Sequence, residues 1–291
     1  MTYAALSVTA ALVARLPRGA LAALGAALGF FVGSVLGVRR SLVEAAMDRS
    51  GVAAPRVAAS AMYRGLGRGV FELLWLAATS PPRRAREIAR VTIDADAVAA
   101  LDAALERGPV VLFASHTGNW ELAAAAAARL LEERGRRLAV VAKAMRAQGV
   151  DAFLARLRRR LGVVVVPPRG ALAAARRALR AGDVVVTPID QVPDRAAHGV
   201  AVEFLRARAL ADRAPATLAW RARATVLVVA ARRQAGAHRV RLLDVVPPPA
   251  AADRARVWIP ATTTRATAAL DTFVRAAPES WLWLHRRWRA S

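Results

Sequence analysis

Pro109-Val110-Val111-Leu112-Phe113-Ala114-Ser115-His116-Thr117-Gly118-Asn119-Trp120-Glu121 is the stretch on which the fold turns. Its apolar first half, 109–114, predicts a buried strand. The alanine-rich residues 122–131 that follow predict a helix. A histidine therefore stands on a strand-to-helix turn, with a carboxylate five positions later. In an α/β protein such a turn lies at the carboxyl end of the sheet, where a general base and its orienting acid can be presented. On one continuous helix the two residues would point ~140° apart. They can meet only if His116 lies in the turn and Glu121 projects from the first helical turn. Thr117 and Asn119 are candidate N-caps, and Gly118 permits a tight approach. Free amides at that helix start suit an oxyanion or a phosphate. The same residues also fit a capped turn with ordinary hydrogen bonds. Zinc fits poorly: the His-Glu-x-x-His spacing is absent and the chain has no cysteine. No cofactor or metal is expected.

Working outward, strands are expected at 90–93, 110–114, 138–142, 163–166, 184–189, 225–230 and 239–245. Helices are expected at 97–107, 120–134, 150–161, 171–180, 210–222 and 262–276. This alternation predicts an α/β fold, a mixed and largely parallel sheet covered by helices on both faces. Upstream, 40–49 and 57–78 read as amphipathic helices, and Ser80-Pro81-Pro82 reads as a break. The expected organisation is an N-terminal hydrophobic helical membrane anchor (1–40), then a catalytic domain (41–291) with a helical entry (41–80) and an α/β core (81–291).

The anchor reading rests on residues 20–38, a run without a charged side chain. As a helix it would reach ~28 Å, about one bilayer core. Arg15 and Arg18 flank one end, and Arg39 and Arg40 the other. Its four glycines lower helix propensity, and a buried helix of a soluble fold is the competing reading. Composition agrees with a lipid-facing protein: 56% of the 291 residues are hydrophobic and the formal net charge is +23, with a mean hydropathy of +0.31. Arginine supplies almost all of the positive charge, since Lys143 is the one lysine. Such a surface suits anionic headgroups and an acidic carrier protein. Nucleic acid is the rival partner, but no helix-turn-helix or zinc signature supports it.

Residues 115–121 resemble the His-x4-Asp/Glu motif of glycerolipid-type acyltransferases, and the Gly118-Asn119-Trp120-Glu121 ending resembles the lipid A biosynthesis (lauroyl/myristoyl) branch. Val165-Val166-Pro167-Pro168-Arg169-Gly170 resembles that family's strand-then-Arg segment. Gly182-Asp183-Val184-Val185-Val186, running on to Asp190-Gln191, resembles its strand ending in Asp-Gln. Pro278-Glu279-Ser280-Trp281-Leu282-Trp283-Leu284-His285 and the residues to Trp288 resemble its C-terminal signature. Around 204–207 and 211–214 the chain departs from the family pattern, at segments that contact acceptor or product in relatives.

The resemblance implies an O-acyltransferase at the cell inner membrane, its catalytic domain cytoplasmic. It would move a fatty acyl group from an acyl carrier protein or coenzyme A thioester to a hydroxyl of a lipid A precursor or related anionic glycolipid. Another polar lipid is an alternative acceptor, and a non-catalytic basic membrane-binding protein is the alternative of a different class. His116 would be the general base and Glu121 would orient it. Ser115 is not expected to be a nucleophile, because no Gly-x-Ser-x-Gly elbow surrounds it. Arg169 is a candidate phosphate or sugar contact, as its fork matches phosphate oxygens. Asn119, Asp190 and Gln191 are candidate substrate contacts or turn caps, and Lys143 is a candidate for an anionic group. Trp281, Trp283 and Trp288 read either as an interfacial anchor or as packing of a terminal segment.

Overall fold

The structure, a computed structural model, describes residues 1–142, 145–166, 170–285 and 287–288. The described residues form nine strands: β1 (Thr92–Ile93), β2 (Val110–Ala114), β3 (Leu138–Val141), β4 (Val163–Val166), β5 (Val184–Pro188), β6 (Gly199–Phe204), β7 (Ala207–Asp212), β8 (Thr225–Gln234) and β9 (Ala237–Val246). Seven of them form one sheet in the order β1-β9-β8-β2-β5-β3-β4. Every neighbouring pair in it is parallel except the β8–β9 hairpin.

Side chains of β2 alternate between two cores. Val111 and Phe113 enter one, and Val110 and Leu112 the other. β8 does the same, with Val226 and Val228 opposite Leu227. A strand buried on both faces reads as a continuous apolar run rather than an alternating one, which is why 109–114 is legible as a central parallel strand. One core is closed by α3 (Arg40–Arg49), α9 (Ala171–Arg180), α10 (Ala214–Ala222) and α11 (Ala255–Ala276). The other is closed by α6 (Ala95–Arg107), α7 (Trp120–Glu132) and α8 (Gln148–Arg160), with α1 (Thr2–Val13) and the C-terminal half of α4 (Pro55–Ala78). The expected mixed, mostly parallel α/β architecture is thus present. At Ser80 the chain does break, but it restarts at once as α5 (Pro81–Ile88), whose two prolines occupy the first turn, where their missing N–H groups cost nothing.

Residues 210–222 are not one helix. β6 and β7 form a separate two-stranded antiparallel hairpin, and α10 begins only at Ala214. The hairpin turns through Leu205 and Arg206, at φ +52° and +63°. Two-residue hairpin turns favour positive φ, normally supplied by Asn or Gly. Here neither is present, and Leu205 is held by burial and by its N–H donating to the Asp271 carboxylate. Tertiary contacts override the local propensity that the sequence displays.

The apolar N-terminal run forms α2 (Arg18–Phe30) and a π-helical turn, Phe31–Val35. Among the described residues, Arg18–Val35 is the one helical segment long and apolar enough to cross a membrane. It packs closely along α4. A Cβ on Gly29 would lie 2.0 Å from the Tyr63 carbonyl oxygen, and one on Gly67 2.1 Å from that of Gly25. The glycines at 25, 29 and 33 recur every fourth residue and so bring two backbones together, as small-residue stripes do between apolar helices. The opposite face leaves Leu24, Leu28, Phe31 and Val35 exposed.

Candidate active site

β2 and β5 are parallel neighbours, with Ala114 opposite Pro188. Two residues beyond each strand end, the same register brings His116 beside Asp190. The His116 backbone N–H donates to Asp190 Oδ2 at 2.8 Å, and His116 Nδ1 lies 2.9 Å from Asp190 Oδ1. Trp281 Nε1 donates to Oδ2 at 2.9 Å. Asp190 is completely buried. Burial pushes its carboxyl up, but the charge and hydrogen bonds of His116 and the Trp281 donor outweigh this and hold it well below the usual carboxylate range. An ionised carboxylate only accepts, so Nδ1 carries the proton and Nε2 of the neutral ring keeps its lone pair. Burial pulls the His116 pKa down; Asp190, with a smaller contribution from Glu121, pulls it up further, so it ends above its ordinary value.

The turn is fixed from three sides. Gly118 adopts φ +57°, and a Cβ there would meet the Ala231 carbonyl oxygen at 2.9 Å, so only glycine fits. The buried Thr117 Oγ1 accepts from the Ala231 N–H at 3.1 Å and lies 3.1 Å from Ser115 Oγ. The C-terminal segment adds a short antiparallel bridge between Thr117 and Trp281. Within it Gly118 N–H donates to the Ser280 carbonyl at 2.7 Å and Leu282 N–H to that of His116 at 3.0 Å.

Among the described residues Glu121 forms no hydrogen bond or ion pair with the His116 ring. Its carboxylate is doubly held by Arg158 of α8, with Nε to Oε2 at 2.9 Å and the second nitrogen on Oε1. The partner that holds His116 is Asp190 in its place, because Glu121 projects from the first turn of α7 toward α8. Asn119 caps α7, its Oδ1 accepting from Leu122 N–H at 3.2 Å. Its Nδ2 donates to Glu72 Oε2 of α4 at 2.8 Å. Glu72 also receives Arg233, and His238 at 3.1 Å. Burial raises the Glu72 pKa, but the hydrogen bond and charge of His238 and those of Arg233 more than reverse this and lower it to about 2. Gln191 contributes its backbone carbonyl to Arg287 at 3.2 Å and does not line the cavity described next. Lys143 and Arg169 lie outside the described residues.

A cavity of about 560 Å³ opens beside His116. Asn119, Trp120, Arg68, Arg233 and Leu282 are among its walls. Trp120 packs edge-on against the His116 ring at 5.1 Å between centroids, and His285 does so from another side at the same distance. The tryptophan cluster resolves in favour of packing: Trp281 and Trp283 are buried, and Trp288 donates from Nε1 to the Phe204 carbonyl at 3.1 Å. The sequence reading missed His285, Arg158, Glu72 and the pairing of Asp190 with His116. For Asp190 a signal existed, since it follows the end of its strand by the same two residues as His116. The others carry no local pattern.

The family described as bacterial lipid A biosynthesis acyltransferase matches residues 2–290. No curated protein matches the chain. The chain belongs to that family and is an acyltransferase of lipid A biosynthesis, with an acyl donor and a lipid acceptor as its substrates.

Proposed function

We propose that the protein transfers a fatty acyl group from a thioester, on acyl carrier protein or coenzyme A, to a hydroxyl of a lipid A precursor or related glycolipid, with His116 as the general base. The observation that carries this reading is the His116–Asp190 pair at the mouth of a cavity. Asp190 fixes the ring and its tautomer, leaving Nε2 to take the acceptor's proton. As the O–H bond breaks, the alkoxide oxygen attacks the thioester carbonyl carbon. The first-turn amides of α7, at Trp120 and Glu121, have no intrahelical acceptor and suit the oxyanion that forms. Collapse then breaks the C–S bond, the thiolate takes the proton back from His116, and an ester remains. No enzyme nucleophile is required. Ser115 is buried and hydrogen-bonded to Thr117, which agrees with that.

Attachment to the inner membrane, with the catalytic domain cytoplasmic, completes the reading. Its support is the exposed apolar stripe of α2, flanked by arginines at both ends. The test is mass spectrometry of lipids from cells expressing the wild type or His116→Ala. The expected result is a lipid heavier by one acyl residue in the wild type alone. Identical profiles from two folded, membrane-bound proteins in a host that makes the acceptor would overturn the reading.

A further inference from the structure

Four residues recur at every fourth position along one face of α4: Arg56, Ser60, Arg64 and Arg68. All four line the cavity that holds His116. At 1.5 Å per residue the row is about 18 Å long. Like charges four apart on a helix repel one another. Among the described residues, none of these three arginines has an ion-pair partner. Among the described residues Glu279 is the one carboxylate lining the cavity, and the fourth lining arginine, Arg233, is already neutralised by Glu72. Two details separate this row from a solvated helix face. Arg68 Nε is shut off from solvent and has no hydrogen-bond partner. The Arg64 guanidinium lies 5.4 Å over the Phe30 ring of α2, which orients it in advance.

Resting on the acyl-transfer reading above, we propose that Arg64 and Arg68, extended outward by Ser60 and Arg56, form a phosphate-binding subsite that seats one substrate while its reacting group meets His116. The guanidinium fork matches a phosphate in charge and in the spacing of its oxygens, and a phosphate offers enough acceptors for two arginines at once. Arg64 stands against a ring on the exposed apolar side of α2, next to where a lipid surface would lie. The phosphate is therefore that of an acceptor headgroup, and the phosphate of a coenzyme A or phosphopantetheine donor is the source to be distinguished from it.

Binding is measured first on the full chain carrying His116→Ala, which cannot turn over, by quenching of tryptophan fluorescence. The probes are dihexanoyl phosphatidic acid and dihexanoylglycerol, which differ only in the phosphate. Arg64→Gln and Arg68→Gln should each weaken phosphatidic acid binding at least tenfold and leave dihexanoylglycerol unchanged. Arg221→Gln, which removes an exposed arginine away from the cavity, should change neither. Equal weakening of both probes, or of neither, overturns the proposal. Where Arg68→Gln fails to fold, Arg64→Gln, at an exposed position, carries the test. Turnover of the otherwise wild-type enzyme then names the source. A raised KM for the acceptor, with kcat nearly unchanged and with either acyl-coenzyme A or an acyl N-acetylcysteamine thioester as donor, assigns the phosphate to the acceptor. A raised KM for acyl-coenzyme A alone assigns it to the donor and overturns the headgroup assignment. A wild type that transfers no acyl group sinks the acyl-transfer reading, while the binding experiment still decides the phosphate site.

Discussion

Asp190→Asn would separate an orienting carboxylate from a merely structural one. Asp190 Oδ2 receives two donors that cannot turn away, the His116 backbone N–H at 2.8 Å and Trp281 Nε1–H at 2.9 Å. The single oxygen of an asparagine must therefore take the Oδ2 position. Its NH2 group then faces His116 Nδ1, at the 2.9 Å now occupied by an acceptor. Two donors cannot share that contact, so the ring shifts its proton to Nε2. The nitrogen that should accept the hydroxyl proton becomes a donor, while shape and burial are nearly conserved. General-base catalysis contributes about 10²- to 10⁴-fold, and a wrong tautomer in a comparable His–Asp pair costs about 10⁴. A fall in kcat of about 10³ or more is expected, or roughly 4 kcal/mol of barrier. The assay is single-turnover acyl transfer followed by mass spectrometry, with thermal melting to confirm folding. Wild-type kcat/KM should rise with pH through a His116 pKa above the usual ~6.5, because only the neutral ring is a base, and the surviving activity of the variant should lose that limb. A folded Asp190→Asn enzyme keeping more than about a tenth of wild-type kcat would refute the argument.

Three other perturbations probe the surroundings. Glu121→Gln should act on stability before chemistry: it leaves Arg158 charged and partly buried, and breaking a buried pair costs about 3 kcal/mol, so a melting temperature lower by several degrees is expected, with kcat reduced less than in Asp190→Asn; the opposite ranking would return the orienting role to Glu121. Glu72 has a folded pKa lowered to about 2, so its stabilising contribution is complete above the unfolded pKa of about 4.3 and disappears as pH falls toward 2; urea titrations at pH 6 and pH 3 should show Glu72→Gln costing stability at the first and much less at the second. Gly29→Ala places a methyl group 2.0 Å from the Tyr63 carbonyl oxygen; despite the gain of ~1 kcal/mol in helix propensity, α2 should separate from α4, and faster trypsin cleavage at Arg15 or Arg18 would report it, whereas unchanged cleavage would mean that the glycine stripe is not a packing surface.

Much of the fold was legible because its strands are buried on both faces. Val110–Ala114 and Val184–Pro188 are short apolar runs that no surface helix of this composition would show. The β6–β7 hairpin was hidden for the opposite reason: its turn is Leu205-Arg206, which carries none of the residues that announce positive φ. At the candidate site the sequence pairs His116 with Glu121, whereas the structure sets Asp190 against its ring. A carboxylate five positions away is visible on the page, whereas one 74 positions away becomes a neighbour only once β5 is known to lie beside β2. Sequence spacing gives the levels at which strands end, and pairing order decides which ends meet.

The pairing also explains why two distant motifs belong together. A fully buried carboxylate is costly to keep ionised unless donors replace its lost water. Asp190 obtains them from both ends of the resemblance, the His116 backbone and ring on one side and the Trp281 indole on the other. Trp281 is held in turn by its bridge to Thr117 and by packing on Trp283 and Phe204. Residues 115–121 and 278–284 thus form one structural unit closed over Asp190. An interfacial role for Trp281 would break that unit, since an indole facing lipid could not also donate to a carboxylate at the end of β5. On the proposed reading the membrane-facing task falls instead to α2, whose glycine face is committed to α4 and whose apolar face is open. α4 links the two regions: the same helix that α2 grips holds Glu72 against Asn119 at the His116 turn and lines the cavity with its arginines. If α2 attaches the protein to lipid as proposed, attachment and positioning of the turn are properties of one helix pair.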